Sequence, residues 1–262
     1  MIVVTGGAGF IGSNIIKGLN NAGEEKIIVV DNLSNPEKHL NLNNLSIEDY
    51  LDKNDFLKSL KNFREIKTIF HQGACSSTTE MDGKYMMSNN FEYSKILLNF
   101  SLENKINFIY ASSGSVYGNG SKGFIERREC EYPLNVYGFS KFAFDNYVRN
   151  ILPVSESQVT GLRYFNVYGP QENHKKRMAS VAFHFFKQLM ETGKMKIFEG
   201  SKSFCRDFIY VLDIVKLNLF FYESKTNGIF NSGTGKARSF FEIANIMKNL
   251  NGEGEIEEFS FP

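Results

Sequence analysis

Three side chains suited to taking a proton from a hydroxyl lie near one another in the sequence: Ser113, Tyr137 and Lys141. At a spacing of four on a helix, Tyr137 and Lys141 share one face, with Cβ atoms about 5–6 Å apart. A free phenol titrates near pH 10, too high for a useful base at neutrality, and a neighbouring ammonium lowers it by favouring the phenolate. Lys141 is also long enough to reach the ribose of a nicotinamide. Ser113, where an apolar run ends in Ala111-Ser112-Ser113-Gly114-Ser115, would hold the same substrate oxygen, so that Tyr137 removes its proton as hydride leaves the carbon. Alone, a Tyr-x-x-x-Lys pair reads as a surface tyrosine beside a solvated lysine. Its surroundings decide between the two.

The hydride acceptor is signalled at the start of the chain. Ile2-Val3-Val4 runs into Gly6-Gly7-Ala8-Gly9-Phe10-Ile11-Gly12, and a second apolar run, Lys26 to Val30, ends on Asp31. A strand, a tight turn and a helix start aim unpaired backbone N–H groups at a pyrophosphate, which Gly6, Gly9 and Gly12 allow to approach. Asp31 is placed to accept hydrogen bonds from an adenosine ribose diol. These parts occur in the required order, which argues against an ordinary glycine-rich turn.

Positioning such groups takes a parallel sheet. Apolar runs at 68–71, 108–112 and 158–163, with helical patterns at 90–102 and 140–151, predict an α/β fold: a Rossmann-type doubly wound parallel sheet over residues 1–169. Residues 170–262 predict a smaller mixed α/β substrate-binding lobe on the sheet's carboxyl edge. It carries helices at 179–191, 212–222 and 239–250, and strand-like pieces at 196–198 and 208–210. Residues 256–262 read as a strand entering a loop, so the lobe is expected to be incomplete at its C-terminus.

A net charge of +1 with 23% charged residues gives no sign of a nucleic-acid surface or a polybasic membrane patch. No stretch approaches the roughly 20 apolar residues of a membrane span, and the first residues form a strand rather than a signal peptide, so a cytoplasmic protein is expected. Cys75, Cys130 and Cys205 lie far apart without histidines at metal spacing, which predicts buried free thiols and no metal site.

The sequence resembles the extended short-chain dehydrogenase/reductase family over essentially its whole length, through the Gly-x-x-Gly-x-x-Gly turn, the serine and the Tyr-x-x-x-Lys pair. Four segments are similar to the sugar-nucleotide epimerases within it: His71-Gln72-Gly73-Ala74-Cys75-Ser76-Ser77-Thr78-Thr79, Asp82-Gly83-Lys84-Tyr85-Met86-Met87, Arg163-Tyr164-Phe165-Asn166-Val167-Tyr168-Gly169-Pro170 and Phe198-Glu199-Gly200-Ser201. The resemblance implies epimerisation at C6 of an ADP-heptose, by transient oxidation to an aldehyde, rotation about C5–C6 and re-reduction, in lipopolysaccharide inner-core precursor synthesis. It also implies a homo-oligomer, pentameric in many relatives.

The same resemblance places Phe10 and Ile11 at the pyrophosphate, and Asp31 and Asn32 at the adenosine ribose. Lys38 and Lys53 fall on the phosphate side of the cofactor. Gln72, Gly73, Ala74, Cys75, Ser76, Asn89, Lys141, Val167 and Lys175 complete its site, Gln72 standing where enterobacterial relatives have glutamate. The implied cofactor is NADP. Asp31 argues for NAD, because a 2′-phosphate would meet a carboxylate, and the lysines argue against it. Asn166, Arg177, His184, Phe198, Glu199, Gly200, Ser201 and Arg206 are the implied substrate residues; Arg206 would face the diphosphate, and Arg177 stands where serine is common. Lys175 resembles a second acid/base residue, needed because the rotated aldehyde presents its oxygen in a new direction; from spacing alone it reads as a solvated lysine beside Lys176.

Three other functions compete. A nucleotide-sugar 4,6-dehydratase needs an Asp-Glu pair after the active-site hydroxyl, where this chain has Gly114-Ser115. A UDP-sugar 4-epimerase would use Ser113, Tyr137 and Lys141 equally well. A non-catalytic nucleotide-binding protein would be expected to have lost the tyrosine or the lysine.

Overall fold

The apolar runs become strands because alternate residues bury against different helix layers. In β1 (Ile2–Thr5), Val3 joins one core with Ile28, Ile69 and Phe108, whereas Ile2 and Val4 join another with Ile15, Ile16 and Leu19 of α1 (Phe10–Asn21). The chain continues through β2 (Ile27–Asp31), β3 (Asp49–Asp52), α2 (Lys53–Ser59), β4 (Thr68–His71), α3 (Gly83–Met87), α4 (Tyr93–Glu103), β5 (Asn107–Ser113), α5 (Val136–Ile151) and β6 (Val159–Tyr164). There follow β7 (Asn166–Tyr168), α6 (Val181–Thr192), β8 (Lys194–Phe198), β9 (Cys205–Tyr210), α7 (Val211–Ser224), β10 (Gly228–Ser232), β11 (Ala237–Ser239), α8 (Phe240–Asn251) and β12 (Glu255–Phe259). The computed structural model describes residues 1–63 and 65–260; the last two residues of the predicted final strand and loop lie outside them.

Seven parallel strands form the main sheet in the order β10-β6-β5-β4-β1-β2-β3. Leu97 and Leu98 of α4 and Phe144 and Val148 of α5 cover one face, while α1 and Ile214, Val215 and Phe221 of α7 cover the other. The fold is therefore the doubly wound α/β sheet that the sequence predicts. The order reverses between β1 and β4, and at such a switch point the loops part at the carboxyl edge and leave a crevice.

Strands β3 and β10 are among the elements that the sequence pattern did not show. Edge strand β3 is Asp49-Tyr50-Leu51-Asp52, too polar to read as a buried run, and it forms because Ile28 to Asp31 offer it a register. Residues 211–232, grouped by sequence with the lobe, return to the large layer: α7 packs against its core, and β10 extends the sheet beyond β6.

The lobe itself consists of sheets β11-β9-β7 and β12-β8 against α6 and α8. Ser180 caps α6 by accepting from the Phe183 amide at 3.1 Å, and Ser239 and Glu242 form a reciprocal capping box on α8. Cys130 is buried, but Cys75 is half-buried and Cys205 is exposed, which corrects the expectation of three buried thiols. Cys205 opens β9, whose first two residues are exposed. Among the described residues no helix is long and apolar enough to cross a membrane, and no group of three His, Cys, Asp or Glu side chains could hold a metal ion.

Candidate active site

At the carboxyl edge of the large sheet, beside the β1/β4 switch point, lies a cavity of about 720 Å³. Its glycine turn packs so closely on its own backbone that side chains are excluded. Gly6 has φ +66°, and a Cβ there would stand 2.6 Å from the Gly73 amide nitrogen; a Cβ on Gly12 would stand 2.2 Å from the Gly6 carbonyl oxygen. Gly9 caps α1 without a side-chain bond, and no acidic residue occupies the first turn, so the helix end is open to an anion.

Asp31, at the end of β2, is buried and accepts from the Ala8 amide at 2.9 Å, the Asn32 amide at 2.6 Å and the Lys38 ammonium at 2.9 Å. Lys38 thus neutralises the carboxylate expected to meet the ribose. Lys53 donates to Asn89 Oδ1 at 2.6 Å across the same cavity.

The proton-handling groups stand opposite. Asn135 caps α5, its side chain accepting from the Gly138 amide at 2.8 Å, which starts the helix one residue before Tyr137. Tyr137, Lys141 and Ser113 all line the cavity; the Ser113 hydroxyl donates to Ser115 Oγ at 3.0 Å and lies near enough to the Tyr137 phenol to influence its titration. The electrostatics differ from the sequence expectation. Burial raises the phenol above its ordinary range and the serine offsets part of that rise. Lys141 does not counter it here, because its ammonium donates to the Ala111 carbonyl at 2.7 Å. Burial lowers Lys141 itself to about 8, against a smaller upward pull from Asp145 one helical turn away.

Lys175 belongs to the loop after β7. Gln171 Oε1 accepts from the Ser13 hydroxyl at 2.7 Å, and the Pro170 carbonyl accepts from the Asn14 side chain at 3.1 Å, so α1 holds the loop at its start. Glu172 then takes the Gly169 amide at 3.0 Å and the Ser180 hydroxyl at 2.8 Å. The Lys175 ammonium rests 5.1 Å from the centre of the Phe10 ring, and burial lowers its pKa, with Glu172 pulling the other way. It lines the same cavity as Tyr137.

Every residue expected at the cofactor lines this cavity, as does Asn166. Arg177, His184, Phe198, Glu199, Gly200, Ser201 and Arg206 do not; α6, β8 and β9 carry most of them past the rim, and Arg177 is exposed at the end of the short helix Asn173–Met178. Other contributors escaped sequence reasoning. Asn90 lies in a π-helical turn, Ser88–Glu92, and holds both backbone groups of one residue: its Oδ1 accepts from the Cys75 amide at 2.8 Å, and its Nδ2 donates to the Cys75 carbonyl at 3.0 Å. The same Nδ2 reaches Ser140 of α5 at 3.1 Å, tying the 72–76 loop to the helix of Tyr137. Beneath them, fully buried Arg163 donates from Nε to Asp145 at 2.9 Å and bonds Glu131, while Asp145 also accepts from Tyr110 and Ser112, each at 2.9 Å. This network fixes the end of β5 against α5.

A dinucleotide cradle that opens onto a shielded serine, tyrosine and lysine defines a nicotinamide-dependent enzyme of the short-chain type. The chain belongs to the NAD dependent epimerase/dehydratase family, matched over residues 2–233, and is an isomerase of the epimerase kind. It is 58% identical to a curated ADP-L-glycero-D-manno-heptose-6-epimerase of Brachyspira hyodysenteriae, the match covering 100% of this chain and 85% of the relative. The crystal structure of the Helicobacter pylori ADP-L-glycero-D-manno-heptose-6-epimerase superposes with a TM-score of 0.88 at 33% identity, over 99% of this chain and 84% of that one. A UDP-N-acetylglucosamine 4-epimerase from Methanobrevibacter ruminantium gives the same TM-score at 28% identity, over 100% and 85% of the two chains.

Proposed function

We propose that this chain is a cytoplasmic enzyme that converts ADP-D-glycero-D-manno-heptose to its L-glycero epimer at C6, with NADP as cofactor, in lipopolysaccharide inner-core precursor synthesis. The observation that carries this reading is the convergence of Ser113, Tyr137, Lys141 and Lys175 on one cavity, in a chain 58% identical to an enzyme of that name. Two proton-handling groups are what this epimerisation needs. The bound nicotinamide supplies the hydride acceptor and donor.

Ser113 holds the C6 hydroxyl, and Tyr137 takes its proton as the carbon is oxidised. Tyr137 needs help to do so, since burial opposes phenolate. Lys141 provides it by turning from the Ala111 carbonyl toward the ribose and the phenol. Once the aldehyde has rotated, its oxygen faces the loop of Lys175, whose ammonium donates a proton of its own, made easier to give up by the lowered pKa; proton exchange with solvent then releases the proton held on Tyr137 and restores the one lost by Lys175. Lys38 supports NADP over NAD, because its ammonium beside Asp31 offsets the charge that would repel a 2′-phosphate.

Purified enzyme incubated with ADP-heptose and, separately, with UDP-galactose tests the substrate. Epimerisation of the UDP-sugar alone would refute the assignment. Extraction and mass determination of the bound nucleotide tests the cofactor.

A further inference from the structure

The loop that carries Lys175 is closed at its base by one carboxylate. Glu172 is only 1% exposed, and its side chain joins the two ends of the segment: Oε1 accepts from the Gly169 amide at 3.0 Å and the Ser180 hydroxyl at 2.8 Å, and Oε2 accepts from the Ser180 amide at 2.6 Å. All three partners are donors, the complement of a group that offers only acceptors. The Glu172 carbonyl accepts from the Lys175 amide at 2.9 Å, so one residue holds the loop ends with its side chain and the lysine with its backbone.

The backbone between those ends is strained. Gln171 and Lys176, on either side of Lys175, have φ of +76° and +48°, in the left-handed region that side chains disfavour. Such residues persist only where their surroundings over-determine them, and the clasp between Gly169 and Ser180 does so here. Ser180 is shared, since its hydroxyl also accepts from the Phe183 amide and so ties the loop to α6.

The same carboxylate bears on the ammonium electrostatically. Around Lys175, α1 presents the Phe10 ring, the loop after β2 presents Lys38 paired with Asp31, and its own segment presents Glu172, His174 and the exposed Lys176 and Arg177. Burial lowers the pKa of His174, as do Lys38 and Lys175, against the pull of Asp31. Glu172 is the group that opposes the effect of burial on Lys175.

We propose that Glu172 is the positioning residue of Lys175: it clasps the loop that sets the ammonium over the Phe10 ring at the cavity wall, and it provides the counter-charge. This inference rests on the reading of Lys175 as the second proton donor. It explains why a carboxylate is buried at the base of a loop whose strained backbone needs holding.

Glu172→Gln tests it, because glutamine keeps the shape but, whichever way its amide turns, sets a donor against the backbone amide of Gly169 or of Ser180. With the D-glycero epimer as substrate, kcat is expected to fall about ten-fold or more while KM and bound cofactor stay near wild type. Loss of the negative charge should also move the alkaline limb of the kcat profile to lower pH by about one unit, because Lys175 then gives up its proton sooner. A fall in kcat with the limb in place would mean that Glu172 only supports the fold; that result overturns the proposal, as does a wild-type kcat. Ser180→Ala is a second variant that removes one bond of the clasp and keeps the charge, so kcat should fall about three-fold with the limb unmoved. A wild-type rate in Ser180→Ala overturns the clasp. Near-normal turnover in Lys175→Met refutes the reading of Lys175 and the proposal with it, whereas an inactive Lys175→Met beside an unaffected Glu172→Gln removes the role of Glu172 alone.

Discussion

Replacing Lys141 with methionine should make the cofactor-free protein more stable at neutral pH while abolishing turnover. The ammonium is only 5% exposed, and burial brings its pKa from 10.5 to about 8. A shift of that size corresponds to about 3 kcal/mol charged against the native state at pH 7. Methionine removes this cost and loses the charge-assisted bond to the Ala111 carbonyl, which is worth about 2 kcal/mol, so the net gain is about 1 kcal/mol. The sign reverses with pH. Between about 8 and 10.5 the unfolded chain holds a proton that the native lysine has released, so wild-type stability climbs across that window while the variant gains nothing from this site. Urea unfolding of both proteins, stripped of nucleotide, at pH 7 and pH 10 measures the gap. A variant no more stable at pH 7, or a gap that does not close by pH 10, would refute a charged, desolvated lysine held in reserve.

Tyr137→Phe and Lys175→Met should each reduce turnover by about a hundred-fold or more while leaving bound nucleotide unchanged, as read by epimerisation rates and absorbance of the released cofactor; near-normal turnover in either removes that residue's role. Gly12→Ala places a methyl 2.2 Å from the Gly6 carbonyl, so dinucleotide affinity in fluorescence titration should fall at least about ten-fold with the far-ultraviolet circular dichroism preserved. Lys38→Ala uncovers the Asp31 charge, so the affinity for NADP should fall about ten-fold further than that for NAD; equal losses would show that Lys38 does not read the 2′-phosphate.

The dinucleotide end of the site was legible because its signals are local: Gly6 to Gly12 and Asp31 lie on one strand-turn-helix-strand unit, whose burial pattern follows from the apolar runs themselves. Tyr137 and Lys141 were likewise set by one helix, although the partner of Lys141 was not, since the Ala111 carbonyl is reached only across the gap between α5 and β5. What escaped is long-range. Nothing local in the sequence marks Arg163, Asp145 and Glu131 as buried; they are buried because three separate segments meet around them. The edge strand β3 lacked an apolar pattern because its pairing with β2, rather than burial, creates it.

The return of β10 to the large sheet has a consequence for how the molecule is made. The outer edge of β6 is capped only when chain far downstream arrives: the Val159 amide waits for the Asn227 side chain, sixty-eight positions later. Until then the growing chain carries an open, apolar strand edge, the kind of surface that pairs with a neighbour. The segment from β7 to β9 must emerge before the large sheet can close, so the first layer is sealed only after part of the second lobe has been made.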